Sequence, residues 1–211
     1  MDNAGFTPGA LPYAQRRRHS FSSVYSPSVQ IHPLLNAENP FGNFVFDLAS
    51  PVPNPLVYYR EVPGALSPEG LAQPVTYPPI TRMRITSDTL PQEWDVILDL
   101  SPELYEYNFR AGYDPPPITV QDVFQELHRH MQSQISHSDW AKLSPRGMEK
   151  VRLAFVRRCE AAPGGPDAYD RERAQGVRRV DYLSGKTRFV GLLKTGKEDT
   201  FKLITTDPPT A

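Results

Sequence analysis

The sequence contains one cysteine, and this bears on the cellular compartment in which we expect the protein. Cys159 has no partner with which to form an internal disulfide. No Asn-x-Ser/Thr sequon occurs, and residues 1–30 contain no apolar run of the kind found in signal peptides. We therefore expect a reducing, intracellular setting, cytoplasmic or nuclear, and no secretion.

Long apolar runs and a strong excess of charge are also missing. No window approaches the roughly 18 apolar residues of a transmembrane helix, so we expect a soluble protein without a membrane partner. A net charge of −1 gives the chain no general attraction for a polyanion. The content of 39% apolar and 22% charged residues is typical of a globular domain.

Proline, by contrast, is abundant. The chain has 23 prolines in 211 residues, and eighteen of them precede Ile118. Residues 1–30 combine Gly, Pro and Ser with few aliphatic side chains, which predicts a disordered N-terminal tail. Residues 206–211 predict a disordered C-terminus. A single domain is therefore expected over residues 31–205.

The first half of that domain predicts short strands. Residues 43–48 place Phe44, Phe46 and Leu48 on one face. Residues 81–86 and 94–100 alternate polar and apolar side chains, which predicts an antiparallel hairpin. Residues 51–79 carry eight prolines and predict a loop with at most an edge strand.

The middle of the chain predicts a block of three helices. Thr119 and Asp122 form an approximate capping box before a helix with one apolar face. Residues 136–139 begin a short second helix. Ser144 and Pro145 begin a third helix. Its predicted buried face comprises Met148, Val151, Phe155 and Cys159, and residues 163–175 are expected to form a polar loop.

The last segment predicts a second hairpin. Residues 177–183 and 186–193 flank Ser184-Gly185, a two-residue turn that would set Asp181 opposite Arg188 and Val180 opposite Phe189. A four-residue turn gives the same register. Residues 189–193 are apolar on both faces, which is typical of a central strand. Residues 200–205 predict one more strand.

Strands, then helices, then strands predict an α+β fold with a mostly antiparallel sheet and a central block of three helices. Its core is expected to unite the first helix, the third helix and the last hairpin. Phe124, Leu127, Phe155 and Val190 are the side chains predicted to meet there.

Three histidines, His128, His130 and His137, lie within ten residues of one another. Imidazole is a common ligand of zinc and iron. However, His128 and His130 are about 200° apart on a helix, so they cannot converge on one ion. We predict no metal site and no cofactor. Cys159 lies on the apolar face of its helix and is expected to act as a small hydrophobic residue rather than a nucleophile.

Basic residues form the candidate binding site. Arg146, Lys150 and Arg157 fall within about 60° of one another on the third helix. The predicted hairpin adds four more cations. Together they could bind phosphate groups or an acidic protein surface; the alternative is an ordinary solvated face. The added cations are Arg178, Arg179, Lys186 and Arg188.

The N-terminal tail carries a candidate phosphorylation site. Ser20 follows three consecutive arginines and a histidine, a sequence that suits a basophilic kinase. Phosphate on Ser20 would place negative charge beside those arginines. An unmodified, solvated arm is the alternative.

Four segments occur in this order along the chain: residues 32–36, 77–80 with Leu90-Pro91, 118–123, and 176–187 (Gly-Val-Arg-Arg-Val-Asp-Tyr-Leu-Ser-Gly-Lys-Thr). Together they resemble a domain family of unknown function that is abundant in mushroom-forming (basidiomycete) fungi. The resemblance covers approximately residues 31–205 and excludes the tail. It implies a fungal source and a compact domain, and it brings no activity, cofactor or catalytic residue.

Catalytic signatures are missing from the chain: it has no Gly-x-Ser-x-Gly elbow, phosphate-binding loop, dinucleotide-binding glycine pattern or zincin motif. The leading interpretation is a non-catalytic domain that binds another protein. Binding of nucleic acid or a phosphorylated ligand through the basic residues is the alternative. An enzyme of unrecognised type comes third.

Overall fold

The computed structural model describes residues 29–40, 43–60, 62–101 and 115–208. The predicted tail and its candidate phosphorylation site, Ser20, lie outside the described residues. The strands are β1 (Gln30–Ile31), β2 (Phe44–Val45), β3 (Leu56–Tyr59), β4 (Val62–Ala65), β5 (Thr76–Tyr77), β6 (Arg82–Thr86), β7 (Val96–Asp99), β8 (Arg188–Lys194) and β9 (Thr200–Thr206). The α-helices are α1 (Pro68–Leu71), α2 (Val120–Met131), α3 (His137–Ala141), α4 (Pro145–Glu160) and α5 (Pro166–Ala174).

Three sheets organise these strands. The largest has four strands in the order β7-β6-β9-β8, in which β6 and β9 are parallel and the other pairs are antiparallel. Antiparallel pairs also form the sheets β2-β3-β4 and β1-β5. The fold is therefore α+β with mostly antiparallel pairing, which confirms the predicted class.

Local capping explains where the predicted helices begin. The Thr119 side chain accepts a hydrogen bond from the Asp122 backbone N–H at 3.2 Å, and the Asp122 carboxylate accepts one from the Thr119 backbone N–H at 2.8 Å. Ser136 and Asp139 repeat this capping box at α3. Ser144 caps α4 and is followed by proline at the first helical position. All three predicted helices are confirmed. Their starts could be predicted because the capping residues of each helix lie close together in the sequence.

Four phenylalanines lie at the centre of the core. The Phe124 ring of α2 has its centroid 5.4 Å from that of Phe44, 4.9 Å from that of Phe46 and 5.8 Å from that of Phe189. Burial of each such ring contributes about 1.5–3 kcal/mol. The rest of α2's apolar face packs with side chains from β6, β7, β8 and β9. Helix α2 is thus the element around which the sheets are assembled.

The predicted last hairpin is wrong. Residues 179–183 form a 3₁₀ helix, and β8 pairs with β9 instead. The Asp181 carboxylate accepts a hydrogen bond from the backbone N–H of Arg178 at 2.8 Å and is almost fully buried. Asp181 therefore does not face Arg188 across a strand pair. Strand β8 also lies at one end of the four-stranded sheet rather than at its centre.

The predicted buried face of α4 also needs correction. The helix buries Val151, Ala154, Arg158 and Cys159, whereas Phe155 and Met148 are only partly buried. Val190 is partly buried as well. Phe124 and Leu127 are in the core as predicted, but Phe155 and Val190 are not among its buried members. Arg158 belongs to the buried face of α4. That face is therefore rotated relative to the face that the apolar residues predict.

Two segments predicted as loops are more regular than expected. Residues 166–174 form α5, whose N-terminal proline favours a helix start. The proline-rich residues 51–79 contain β3, β4, α1 and β5. Strand β9 extends to Thr206, one residue beyond the predicted domain boundary. No helix within the described ranges combines the length and apolar character needed to cross a membrane.

Candidate functional site

A buried arginine holds α4, α5 and the 3₁₀ helix of residues 179–183 together. The Arg158 side chain is 6% exposed and donates from Nε and Nη2 to the two carboxylate oxygens of Asp181, each at 2.9 Å. It also donates to the Gly176 carbonyl oxygen at 3.0 Å and forms a salt bridge with Glu172 of α5. Such a two-pronged arginine–carboxylate contact fixes both partners in orientation.

A second buried arginine completes this ion network. The Arg178 Nη1 atom lies 2.9 Å from a carboxylate oxygen of Glu172, so Glu172 bridges the two arginines. Arg178 also donates to the side chains of Gln132 and Gln175. We call Arg158, Arg178, Glu172 and Asp181 the buried ion network. It contains two cations and two anions, so its charges compensate within the interior.

The pKa values of the two arginines reflect this arrangement. Burial by itself lowers the pKa of Arg158, but the hydrogen bonds and charge of Asp181, together with Glu172, outweigh burial and leave that pKa raised. Burial, and then the nearby charge of Arg158, lower the pKa of Arg178. Both side chains remain cations, because guanidinium does not lose its proton in proteins.

A groove lies directly beside this network. Two cavities of about 280 Å³ and about 270 Å³ share Asp47, Ala49, Arg158 and Ala161 in their linings, and we call the combined space the groove. Residues 47–51 contribute to the lining of both cavities. The first cavity is also lined by α4 and α5. The second is also lined by α4, the 3₁₀ helix of residues 179–183, Gly185, Thr187 and residues 207–208. The buried ion network thus fixes the relative positions of the elements on one side of the groove.

The wall formed by residues 47–51 is held by His128 of α2 and by Gln132, which caps the C-terminus of that helix. His128 Nε2 lies 2.8 Å from the Ser50 carbonyl oxygen, and it carries the proton of this contact because a carbonyl can only accept. Gln132 donates to the Leu48 carbonyl oxygen at 2.7 Å. The Leu48 backbone N–H donates a hydrogen bond to the Thr187 carbonyl oxygen at 3.0 Å. Residues 47–51 are therefore anchored to both α2 and the start of β8.

The lining of the groove combines small side chains with a few charges. Five alanines and three prolines contribute to it, which leaves room for the backbone of a ligand to approach closely. Arg157 and Arg171 are exposed and lie in different halves of the groove. Glu172 and Asp181 also contribute, but each is already bound by arginine. The alanines are Ala49, Ala154, Ala161, Ala162 and Ala168, and the prolines are Pro51, Pro163 and Pro208.

The predicted basic site residues divide into two groups. Arg146, Lys150 and Arg157 are exposed on α4, and Lys186 is exposed in the turn before β8. Arg178 is buried in the ion network and is not available to an external ligand. Arg188 is partly buried, and its Nη2 atom is 3.4 Å from the Phe44 carbonyl oxygen. Only the α4 residues share one helix face.

Arg179 is also directed inward. Its guanidinium carbon lies 5.0 Å from the centroid of the Trp94 ring, and its Nη1 atom lies 2.8 Å from His130 Nε2. Its Nε atom is buried and has no hydrogen-bond partner among the described residues. Burial, and then the charge of Arg179, lower the pKa of His130. The His130 ring is therefore neutral near pH 7 and can accept a hydrogen bond from Arg179.

Two of the three histidines and the cysteine are interior groups. His128 and His130 are both buried, while His137 is exposed. Across the part of the chain that the structure describes, no three His, Cys, Asp or Glu side chains are placed to hold a metal ion. Cys159 is 1% exposed, and burial raises the pKa of its thiol. It packs as a small hydrophobic residue, as predicted.

Sequence reasoning missed Arg158 and Glu172. One signal could have found Arg158: it follows Ala154 by four residues and Val151 by seven, the spacing of a single helix face. An arginine at such a position needs a buried carboxylate. Nothing local in the sequence identifies Glu172 and Asp181 as those partners, since they are 14 and 23 residues away.

Comparison with known protein families identifies the family to which the chain is similar. The sequence model of the family described as "Family of unknown function (DUF6699)" matches residues 44–200. This range contains the groove's 47–51 wall, α4, α5 and all four members of the buried ion network. No curated protein and no solved structure matches the chain.

Proposed function

Since the chain belongs to the DUF6699 family, a family of unknown function, we propose a function from its geometry: it is a non-catalytic domain that binds an extended segment of another protein in the groove. The observation that carries this proposal is the pair of adjoining cavities beside residues 47–51, of which one is also lined by α4 and α5 and the other by α4 and the 3₁₀ helix. Each is slightly smaller than a usual small-molecule site of about 300–1,000 Å³. Two such cavities side by side suit successive side chains of a peptide better than one compact ligand.

The rigidity of both walls supports the proposal. The buried ion network fixes α4 and α5, and hydrogen bonds from α2 fix residues 47–51. A site that is formed before binding costs less entropy when a flexible peptide is ordered in it. The small side chains along the lining allow the peptide backbone to approach.

A test uses a displayed library of random peptides selected on the whole chain. We expect the selected peptides to lose at least about tenfold in affinity, or about 1.4 kcal/mol, on Ala161→Trp, because the indole fills the middle of the groove. Ala161 is exposed, so the substitution leaves the core intact. Ala141→Trp, at another exposed helix position, is the matched control and should bind as the unmodified chain does. Equal affinity for both variants would refute the groove as the binding site.

Binding of a nucleic acid or a phosphorylated ligand is the second candidate. The exposed cations of α4, Arg146, Lys150 and Arg157, favour it. Arg178 and Arg179 argue against it, because their guanidinium groups already contact internal partners. If the immobilised chain retains a DNA duplex, and its affinity for that duplex falls steeply as the salt concentration is raised, this candidate is favoured over peptide binding.

The setting of the protein is proposed from sequence. The resemblance implies a fungal source, and the single cysteine favours a reducing intracellular compartment. The buried position of the Cys159 thiol is compatible with this setting. Fractionation of cells of the native source, with detection of the chain in the cytosol and nucleus, would test it; recovery from the culture medium would contradict it.

A further inference from the structure

A row of exposed residues follows the outer face of α4. Arg146, Lys150, Leu153 and Arg157 are spaced by four, three and four residues, so they share one face of the helix. All four are exposed, and Leu153 is 42% exposed. We call these residues the α4 stripe. It extends about 16 Å along the helix axis, at 1.5 Å per residue.

The cations of the α4 stripe are not neutralised within the chain. No carboxylate of the described residues lies within 4.0 Å of Arg146, Lys150 or Arg157. The adjacent Glu149 is engaged by Arg152, which donates to it from Nε at 2.9 Å and from Nη2 at 2.7 Å. The stripe therefore presents three positive charges to its surroundings.

Arg146 is placed where a cation does not help the helix. It lies in the first turn of α4, at the positive end of the helix dipole, and that turn contains no acidic residue. A carboxylate at this position would stabilise the helix instead. Leu153 likewise exposes apolar surface on a face that could be fully polar. Residues that oppose local stability in this way are expected at functional surfaces.

We propose that the α4 stripe binds an acidic surface of a partner protein, with an apolar side chain of the partner covering Leu153. This inference rests on the proposed function in that the partner is a protein, but it concerns a different surface that meets the groove only at Arg157. Charge complementarity selects the partner, and an apolar contact surrounded by charges is the usual arrangement of a protein interface.

The composition of the α4 stripe favours a protein over a nucleic acid. Nucleic-acid surfaces combine cations with aromatic side chains on which bases stack. The stripe has an aliphatic residue among its cations and no aromatic one. The aromatic residue of α4, Phe155, is partly buried. Its ring lies against Arg158, whose guanidinium carbon is 5.4 Å from the ring centroid.

The test uses peptides selected from a displayed random library on the whole chain. We expect them to be rich in Asp and Glu around an apolar residue and to bind more weakly as salt is raised. The double variant Arg146→Glu/Lys150→Glu should weaken binding by at least about tenfold, and Leu153→Ser by a smaller factor. The control Lys194→Glu/Lys197→Glu changes the net charge equally at exposed positions of the β8–β9 hairpin and should leave binding unchanged.

Two results would overturn the proposal, and neither depends on the groove. One is equal peptide affinity for the α4 double variant and the Lys194/Lys197 control. The other is retention of a DNA duplex or of phosphatidylserine vesicles that requires the α4 stripe, with no peptide selected through it. If peptides lose affinity on Ala161→Trp but not on the stripe variants, the groove stands and the stripe proposal fails. The reverse pattern retains the stripe and rejects the groove.

Discussion

Arg157 and Arg158 are neighbours in α4, yet the helix places them in different environments. Arg157 is exposed and has no carboxylate partner among the described residues. Arg158 is buried and bound by Asp181 and Glu172. Arg157 is accessible to a ligand that approaches α4, whereas Arg158 joins α4 to α5 and to the 3₁₀ helix of residues 179–183.

This difference shows what a count of charges leaves out. Arg178 and Arg179 look like surface cations in the sequence, but they are held by Glu172, Trp94 and His130. The predicted site residues that remain exposed are Lys186 and the three cations on the outer face of α4. A basic region in the sequence therefore divides into structural arginines inside and candidate binding residues outside.

The largest effect is expected from Asp181→Ala. This change leaves Arg158 buried without its main partner and removes the acceptor for the Arg178 backbone N–H. Breaking a buried ion pair on one side costs about 3–5 kcal/mol of unfolding free energy. Urea denaturation would measure this loss. A cost below about 1 kcal/mol would mean that the buried ion network does not hold α4 and the 3₁₀ helix together.

A smaller effect is expected from acid through His130. Its folded pKa is lowered chiefly by burial and by the charge of Arg179, which outweigh the opposing effects of the Trp94 backbone and Glu126. The unfolded chain binds the proton near pH 6.5, whereas the folded chain resists it. The stability contributed by the neutral ring is therefore complete above about pH 6.5 and decreases as pH falls below that value.

The measurement is the urea midpoint at about pH 7.5 and about pH 5.5, on either side of the usual histidine pKa. His130→Gln keeps a hydrogen-bond acceptor for Arg179 but cannot titrate, so it should lose less stability between the two pH values. His137→Gln, at an exposed position, is the control and should behave as the unmodified chain. An identical pH response in all three proteins would exclude His130 as the titrating group.

What could be predicted from the sequence was local. The pairs Thr119–Asp122 and Ser136–Asp139 are three residues apart, so the capping boxes of α2 and α3 could be identified directly. Alternation predicted β6 and β7, because one face of that sheet packs on α2. These features depend on neighbours that the sequence shows side by side.

What could not be predicted depends on distant partners. The segment around Asp181 alternates like a strand, but its conformation is set by Arg158, 23 residues away. The groove joins Ala49 to Ala161, and nothing in either local sequence relates them. The exposed cations of α4 were identified because helical spacing alone determines which face they share.

The pair Arg157→Ala and Arg158→Ala tests the central claim most directly. Both substitutions remove the same side chain at adjacent positions of one helix, so intrinsic helix propensity cancels. Urea denaturation should show Arg158→Ala less stable than Arg157→Ala by about 3 kcal/mol or more, since only the former removes the arginine partner of the buried Asp181 carboxylate. Arg157→Ala should stay within about 0.5 kcal/mol of the unmodified chain. Equal unfolding free energies for the two variants would contradict the division between structural and binding arginines.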